Sequence, residues 1–177
     1  EDFHGRTIGA LSVTGFEKSR ALFPQNISRW TRFLRLGDLE AFDSLDPEEI
    51  AGVIIEPIQS VVGVKMAEPE YYRGLRDWCD RTGAVLIFDE VQTGNGRTGK
   101  WFVGEHWGVE PDLVTTAKGL GGGYPVGAVL ANEKISATVE AGDQATTFGG
   151  GPLAAAAVAA TYRSEERRVG KECRSRW

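Results

Sequence analysis

The stretch that most constrains the fold spans residues 84–127, AVLIFDEVQTGNGRTGKWFVGEHWGVEPDLVTTAKGLGGGYPVG, where two short apolar runs flank a glycine-arginine loop and each leads into charge. Residues 84–91 are apolar and partly β-branched, the composition of a strand buried on both faces of a parallel sheet. Asp89 and Glu90 interrupt that run at its carboxyl end, and an acid buried there needs a partner. Open α/β sheets place their ligands at this same carboxyl edge. After the second run, residues 113–116, Lys118 falls at the corresponding edge of the next strand. An acid and a lysine from two strands are therefore expected to converge on one crevice.

The flanking sequence extends the α/β reading. Residues 52–58 read as a strand stopped by Pro57, leaving Glu56 at its carboxyl edge. Residues 69–82 carry Tyr72, Leu75, Trp78 and Cys79 at helical spacing with charges between them, and Gly83 ends the helix. Strand, helix and strand in that order predict a right-handed βαβ unit. Residues 124–131 read as another strand, Asn132 and Glu133 open a helix, and residues 151–162 form a helix with Pro152 in its first turn. Residues 16–47 are weakly patterned and read as loops with room for one short strand, up to a helix start at Asp46-Pro47.

The last fifteen residues, RSEERRVGKECRSRW, have no clear helical or strand periodicity and resemble an in-frame translation of sequencing-adapter read-through. Residues 163–177 are therefore expected to be a non-native tail. Six of the 20 Lys/Arg and three of the 25 Asp/Glu lie in it, leaving 14 against 22 and a net charge of −8 for residues 1–162. An acidic body argues against nucleic acid as the main partner. Cys79 alone remains, which rules out a disulfide framework within residues 1–162 and fits a reducing, cytoplasmic setting, with an organellar matrix left open. No residue run has the length and apolarity of a membrane span.

Gly94-Asn95-Gly96-Arg97-Thr98-Gly99 fits G-x-G-x-x-G, and with Lys100 nearly fits a phosphate-binding loop. A nucleotide-binding domain is thus a second reading. Against it, Trp101 stands where a magnesium-binding Ser or Thr is needed. Asp89 and Glu90 just before the loop would also repel a pyrophosphate.

Several motifs occur in a fixed order: Phe3-His4-Gly5-Arg6-Thr7, Glu56-Pro57-Ile58-Gln59, Asp89-Glu90-Val91-Gln92-Thr93-Gly94, Gly96-Arg97-Thr98-Gly99, Lys118-Gly119-Leu120-Gly121-Gly122-Gly123 and Thr147-Phe148-Gly149-Gly150. Together they resemble the class III aminotransferases of the ornithine and acetylornithine type, which use pyridoxal 5'-phosphate on a fold-type I scaffold. The resemblance covers residues 1–162 and implies a partial large domain, a mostly parallel sheet flanked by helices, truncated at both ends. It implies transamination from an amino acid or ω-amine, with ornithine or N-acetylornithine favoured, to a 2-oxo acid such as 2-oxoglutarate. Another ω-amino acid donor, a glutamate semialdehyde mutase-like isomerisation, or an inactive fragment are the alternatives.

By that resemblance Lys118 is the catalytic lysine that bonds the cofactor's aldehyde and then moves the substrate's proton. Asp89 pairs with the ring nitrogen, Val91 packs on the ring, Gln92 bonds its hydroxyl and Phe3 stacks on a face. Thr147 would bind the phosphate held by a neighbouring subunit, making a homodimer with shared sites. Arg6 would fork onto a substrate carboxylate, and Glu56 lies near the substrate. Such a lysine must be partly neutral, which burial near a cationic centre favours. His4, with no second metal ligand nearby, reads as a structural hydrogen-bonder, and no metal is expected. Ornithine-type members commonly carry an acid soon after the Gln, whereas Ser60-Val61-Val62-Gly63 follows Gln59. The segment alone, lacking the family's upstream phosphate loop, is expected to bind the cofactor weakly and turn over little.

Overall fold

The computed structural model describes residues 2–21 and 30–174, with side chains as far as residue 164. Residues 22–29, within the stretch read as loop, and 175–177 of the tail lie outside the described residues. The chain divides into two compact units, Glu1–Asp89 with Gly104–Pro111, and Glu90–Val103 with Asp112–Trp177.

The first unit is built on a parallel strand pair. β1 (Gly52–Ile55) and β2 (Val85–Asp89) pair from Gly52 with Val85 to Ile55 with Phe88. A side chain at residue 52 would meet the Val85 carbonyl oxygen at 2.9 Å, so glycine permits the pair to start there. β2 alternates rather than burying both faces equally: Leu86 and Phe88 are fully buried while Val85 and Ile87 are half-buried. β1 stops at Ile55 rather than Ile58, because Glu56 turns its carboxylate inward and Pro57 has no N–H to give the ladder.

Between the strands lies α3 (Pro69–Thr82), with the predicted boundaries. Pro69 occupies the first turn, and Gly83 adopts φ +78°, its N–H donating to the Cys79 carbonyl at 2.9 Å. The buried face is Tyr71, Tyr72, Leu75, Trp78 and Cys79. Tyr72 stacks on Trp107 of the short α4 (Gly104–Trp107) with centroids 3.9 Å apart, and Trp78 meets Phe42 edge-on at 5.1 Å. The Tyr72 hydroxyl donates to the Pro57 carbonyl at 2.6 Å and accepts from the Ala67 N–H at 3.0 Å. One buried side chain thus ties α3 to the segment behind β1.

Two short helices precede β1: α1 (Ile8–Val13) and α2 (Glu17–Arg20). The expected helix at Asp46 is only a 3-10 turn, Pro47–Glu49, in which Asp46 accepts from the Glu48 N–H at 3.1 Å. Three acidic or imino residues without an apolar repeat give a cap nothing to propagate.

The second unit holds an antiparallel pair, β3 (Leu113–Thr116) with β4 (Ala128–Ala131). β4 is shorter than the strand read over 124–131. α5 (Glu133–Ser136) follows, capped by the Asn132 side chain, which accepts from the Ile135 N–H at 2.9 Å. α6 (Pro152–Arg174) runs through residue 162 and on across the stretch read as a tail. Its Ala-rich start nucleates a helix that the Glu, Arg and Lys residues beyond can propagate. Tyr162 of α6 stacks on Trp101 at 4.7 Å. Among the described residues, no helix is long and apolar enough to cross a membrane.

Candidate active site

In the first unit the carboxyl end of β2 presents Asp89 to a buried histidine. Thr7 caps α1, and Thr14 at its far end donates to the Ala10 carbonyl at 2.9 Å while accepting the His4 N–H at 3.0 Å. Asp2 accepts the Gly15 N–H at 2.7 Å and its carbonyl accepts the Phe16 N–H at 3.0 Å. These bonds close residues 2–16 into a loop that aims His4 inward. His4 Nδ1 lies 2.8 Å from Asp89 Oδ2, and the His4 side chain is 2% exposed. Nε2 lies 3.0 Å from Asp2 Oδ2, near enough for an ion pair though off the axis of a good hydrogen bond.

The electrostatics follow from that row. Burial opposes charge on His4, but contacts with Asp2 and then Asp89 outweigh it and raise the imidazole from 6.5 to about 9. Burial likewise opposes charge on Asp2, yet His4 and the Gly15 N–H hold its carboxyl below the ordinary range. Glu56, 3% exposed, accepts the Phe3 N–H at 2.8 Å. Burial raises its carboxyl against that bond. Phe3 is half-buried and the exposed Arg6 guanidinium sits 5.9 Å over its ring. A cavity of about 430 Å³ in this unit is lined by Asp2, Phe33, Phe42, Gln59 and Tyr71 among others but not by His4, Glu56 or Asp89, so the side-chain row, not the cavity, marks the chemistry.

In the second unit Glu90, fully buried, organises the glycine-arginine loop. Its carboxylate accepts the Thr93 hydroxyl at 2.7 Å and the Val103 N–H at 2.8 and 3.0 Å, so both ends of the loop are tied to one side chain. Its backbone N–H donates to the Thr115 carbonyl at 2.9 Å, anchoring the loop to β3. Val91 is half-buried and Gln92 exposed on this loop. No long helix follows the loop, and the four-residue α4 offers no N-terminal phosphate site.

Lys118 opens the 3-10 turn Lys118–Gly121 after β3, with φ +44°, one of three non-glycine residues in the left-handed region among the described residues, together with Val64 and Asn95. A lysine there is strained, and such strain concentrates at functional sites. Lys118 is exposed, contrary to the expected burial, because it stands at i+1 of a turn and its glycine neighbours supply no cover. Thr147 lies on an exposed turn where the Gly149 N–H donates to the Thr146 carbonyl. The structure thus brings Phe3, Glu56 and Asp89 into one cluster, puts Arg6 at its edge, and sets Lys118, Val91, Gln92 and Thr147 in the other unit. Sequence reasoning missed Asp2, undervalued His4 and overlooked Asn95. The only available signals were an acid two residues before a histidine and an Asn between glycines. Among the described residues, no group of three or more His, Cys, Asp or Glu could hold a metal ion.

The model for Aminotransferase class-III matches residues 1–169, nearly the whole chain. This chain belongs to the class III aminotransferases. The acetylornithine aminotransferase of Methanosarcina acetivorans is 50% identical over 161 residues, which cover 91% of this chain and 40% of that relative. The Archaeoglobus fulgidus acetylornithine aminotransferase is 43% identical over 94% of this chain and 44% of its own length. The chain therefore spans about two fifths of the curated relatives it matches. Among solved structures, an amine transaminase from an uncultivated Pseudomonas species, described in its PLP-bound form, matches with TM-score 0.80 and 30% identity over 94% of this chain and 44% of that one. The ornithine aminotransferase of Toxoplasma gondii matches at TM-score 0.79 and 30% identity over 94% of this chain and 40% of that one. The fold is accordingly that of the fold-type I large domain. The family match extends past residue 162.

Each unit, taken by itself, carries chemistry that suits the cofactor the family implies. In the second unit a primary amine stands on a strained turn followed by glycine, and in the first a buried carboxyl is held by an imidazole at a strand end. The Asp2–His4–Asp89 row with Glu56 holds more acid than base, which suits a protonated ring nitrogen.

Proposed function

We propose that this chain supplies the catalytic segment of a pyridoxal-phosphate-dependent aminotransferase acting on N-acetylornithine or ornithine, with a 2-oxo acid such as 2-oxoglutarate as acceptor. The observation that carries the reading is the buried Asp89 carboxyl held at 2.8 Å by a histidine that is itself paired with Asp2. Bound cofactor would supply a protonated pyridine ring that accepts the electron pair left when a carbon-bound proton departs. Asp89 would hold the proton on the ring nitrogen, and His4 would keep the Asp89 carboxyl oriented. Lys118 would hold the cofactor covalently, and its Nζ, once free and unprotonated, would take the substrate's proton and return it. Phe3 would cover a ring face, Val91 would pack against the ring, and Gln92 would bond its hydroxyl. Thr147 would reach the phosphate in a partner subunit of a homodimer.

Arg6, exposed beside Phe3, would fork onto a substrate carboxylate, and Glu56 would face a substrate amine. A second reading, a different ω-amine donor, draws on the turn after Gln59. Residues 60–64 contain no acid and expose Val61 and Val64. Replacing the matching segment of the Methanosarcina acetivorans relative with residues 1–162 of this chain tests both. The reading predicts transfer from N-acetylornithine or ornithine that His4→Gln lowers and Lys118→Ala abolishes. Transfer only from simple amines would favour the second reading, and a folded hybrid that binds no cofactor would overturn both.

A further inference from the structure

Lys118 holds a backbone conformation that a lysine does not prefer, and one neighbour is placed to impose it. Asn95, on the loop anchored by Glu90, donates through Nδ2 to Thr116 Oγ1 at 2.8 Å and to the Ala117 carbonyl at 3.3 Å. That carbonyl belongs to the peptide immediately before Lys118. It also accepts the Leu120 N–H at 2.9 Å, which closes the turn over Lys118 and Gly119. A carbonyl can only accept, so the amide must present its NH₂ there; the flipped orientation would set two oxygens against each other. Asn95 Oδ1 is buried and takes no hydrogen bond among the described residues. Asn95 itself sits at φ +57°, where Asn is tolerated better than most residues. It also covers Gly119: a Cβ there would lie 3.5 Å from the Asn95 Cβ.

We propose that Asn95 is a positioning residue for Lys118: its carboxamide grips the Thr116 hydroxyl and the Ala117 carbonyl and so holds the turn that carries the lysine in its left-handed conformation. The inference rests on Lys118 being the reactive lysine only for its functional meaning. The clamp itself is a property of this chain's own turn. It transmits the anchoring of the loop by Glu90 to the lysine, so the loop between Glu90 and Val103 becomes part of the lysine's support.

The test is backbone hydrogen exchange in the full 177-residue chain without cofactor, read at Leu120, beside reductive trapping of pyridoxal phosphate. Asn95→Gly keeps the left-handed backbone accessible and removes only the carboxamide. It is expected to speed exchange at Leu120 about tenfold, in line with one lost hydrogen bond, while Val114 in β3 stays unchanged. Thr116→Val, which removes one of the two acceptors, is expected to give a smaller change in the same direction and reads the clamp if Asn95→Gly fails to fold. Asn95→Asp adds a pH signature. Its carboxylate repels the Ala117 carbonyl, whereas its neutral acid can donate, so protection at Leu120 should return as pH falls through that acid's titration. The share of trapped cofactor on Lys118, against the other lysines, should fall in Asn95→Gly. Unchanged Leu120 protection in both Asn95→Gly and Thr116→Val, or no pH dependence in Asn95→Asp, overturns the proposal. Trapping that never favours Lys118 even in the Methanosarcina acetivorans hybrid carrying residues 1–162 would instead count against the aminotransferase reading and leave the exchange result standing.

Discussion

His4 makes the sharpest prediction, because its environment sets the pH dependence of the first unit. Its pKa rises from 6.5 to about 9 on folding. A basic group raised in this way contributes stability that is fully present below pH 6.5 and is lost as pH climbs through about 9. At roughly 1.4 kcal/mol per pH unit, the change corresponds to about 3 kcal/mol. The side chain is 2% exposed, so solvent screening removes little of this. Urea unfolding from pH 6 to 10 should therefore show stability falling with pH, and the difference from His4→Gln isolates the histidine's share. Asp2→Asn leaves only the Asp89 contact and should lower the His4 pKa and remove about 1 kcal/mol of the pH-dependent difference. The sequence has two histidines, so proton NMR can follow both, with His106→Gln assigning the other. A His4 titration at or below 6.5, or one that Asp2→Asn leaves in place, would refute the buried acid–imidazole–acid row.

Three stability predictions follow from other sites. Glu90→Ala should destabilise by about 3 kcal/mol in urea unfolding, because it leaves the Val103 N–H and the Thr93 hydroxyl without their buried acceptor; a change below about 0.5 kcal/mol would deny Glu90 its anchoring role. Tyr72→Phe removes one buried donor and one acceptor from between Pro57 and Ala67 and should cost about 2 kcal/mol by thermal or urea unfolding. Gly83→Ala should cost about 1 kcal/mol from the φ of +78° alone, since nothing lies within 4 Å of the added methyl group. An Ala at position 83 that stabilised the chain would mean the helix ends differently.

Local features of the fold were legible where residue chemistry is local. Proline at the start, glycine at the end and an apolar stripe between them are sufficient to define α3, and β-branched runs before an acid define β1 and β2. The first short helix, α1, was not legible, because IGALSV carries too few positions for a repeat and forms on a Thr7 cap and the Thr14 back-bond. The role of His4 depends on Asp89, 85 residues away, and only folding supplies that neighbour. Glu90 reads in the sequence as half of an acid pair at a strand end, and the structure makes it a staple that accepts a hydroxyl and an N–H of its own loop. Lys118 stands out in the sequence by the glycines that follow it, but its exposure and its left-handed backbone were not legible, since both belong to a turn whose contacts come from another loop.

The proposed function turns on Lys118 being the lysine that carries the cofactor. The direct measurement is to incubate the 177-residue chain with excess pyridoxal phosphate, reduce with borohydride and map the modified lysines by peptide mass. The sequence has Lys18, Lys65, Lys100, Lys118, Lys134 and Lys171. Modification is expected to concentrate on Lys118 and to be lost in Lys118→Ala without moving to a neighbour. Modification spread evenly over the six, or a pattern unchanged in Lys118→Ala, would contradict it.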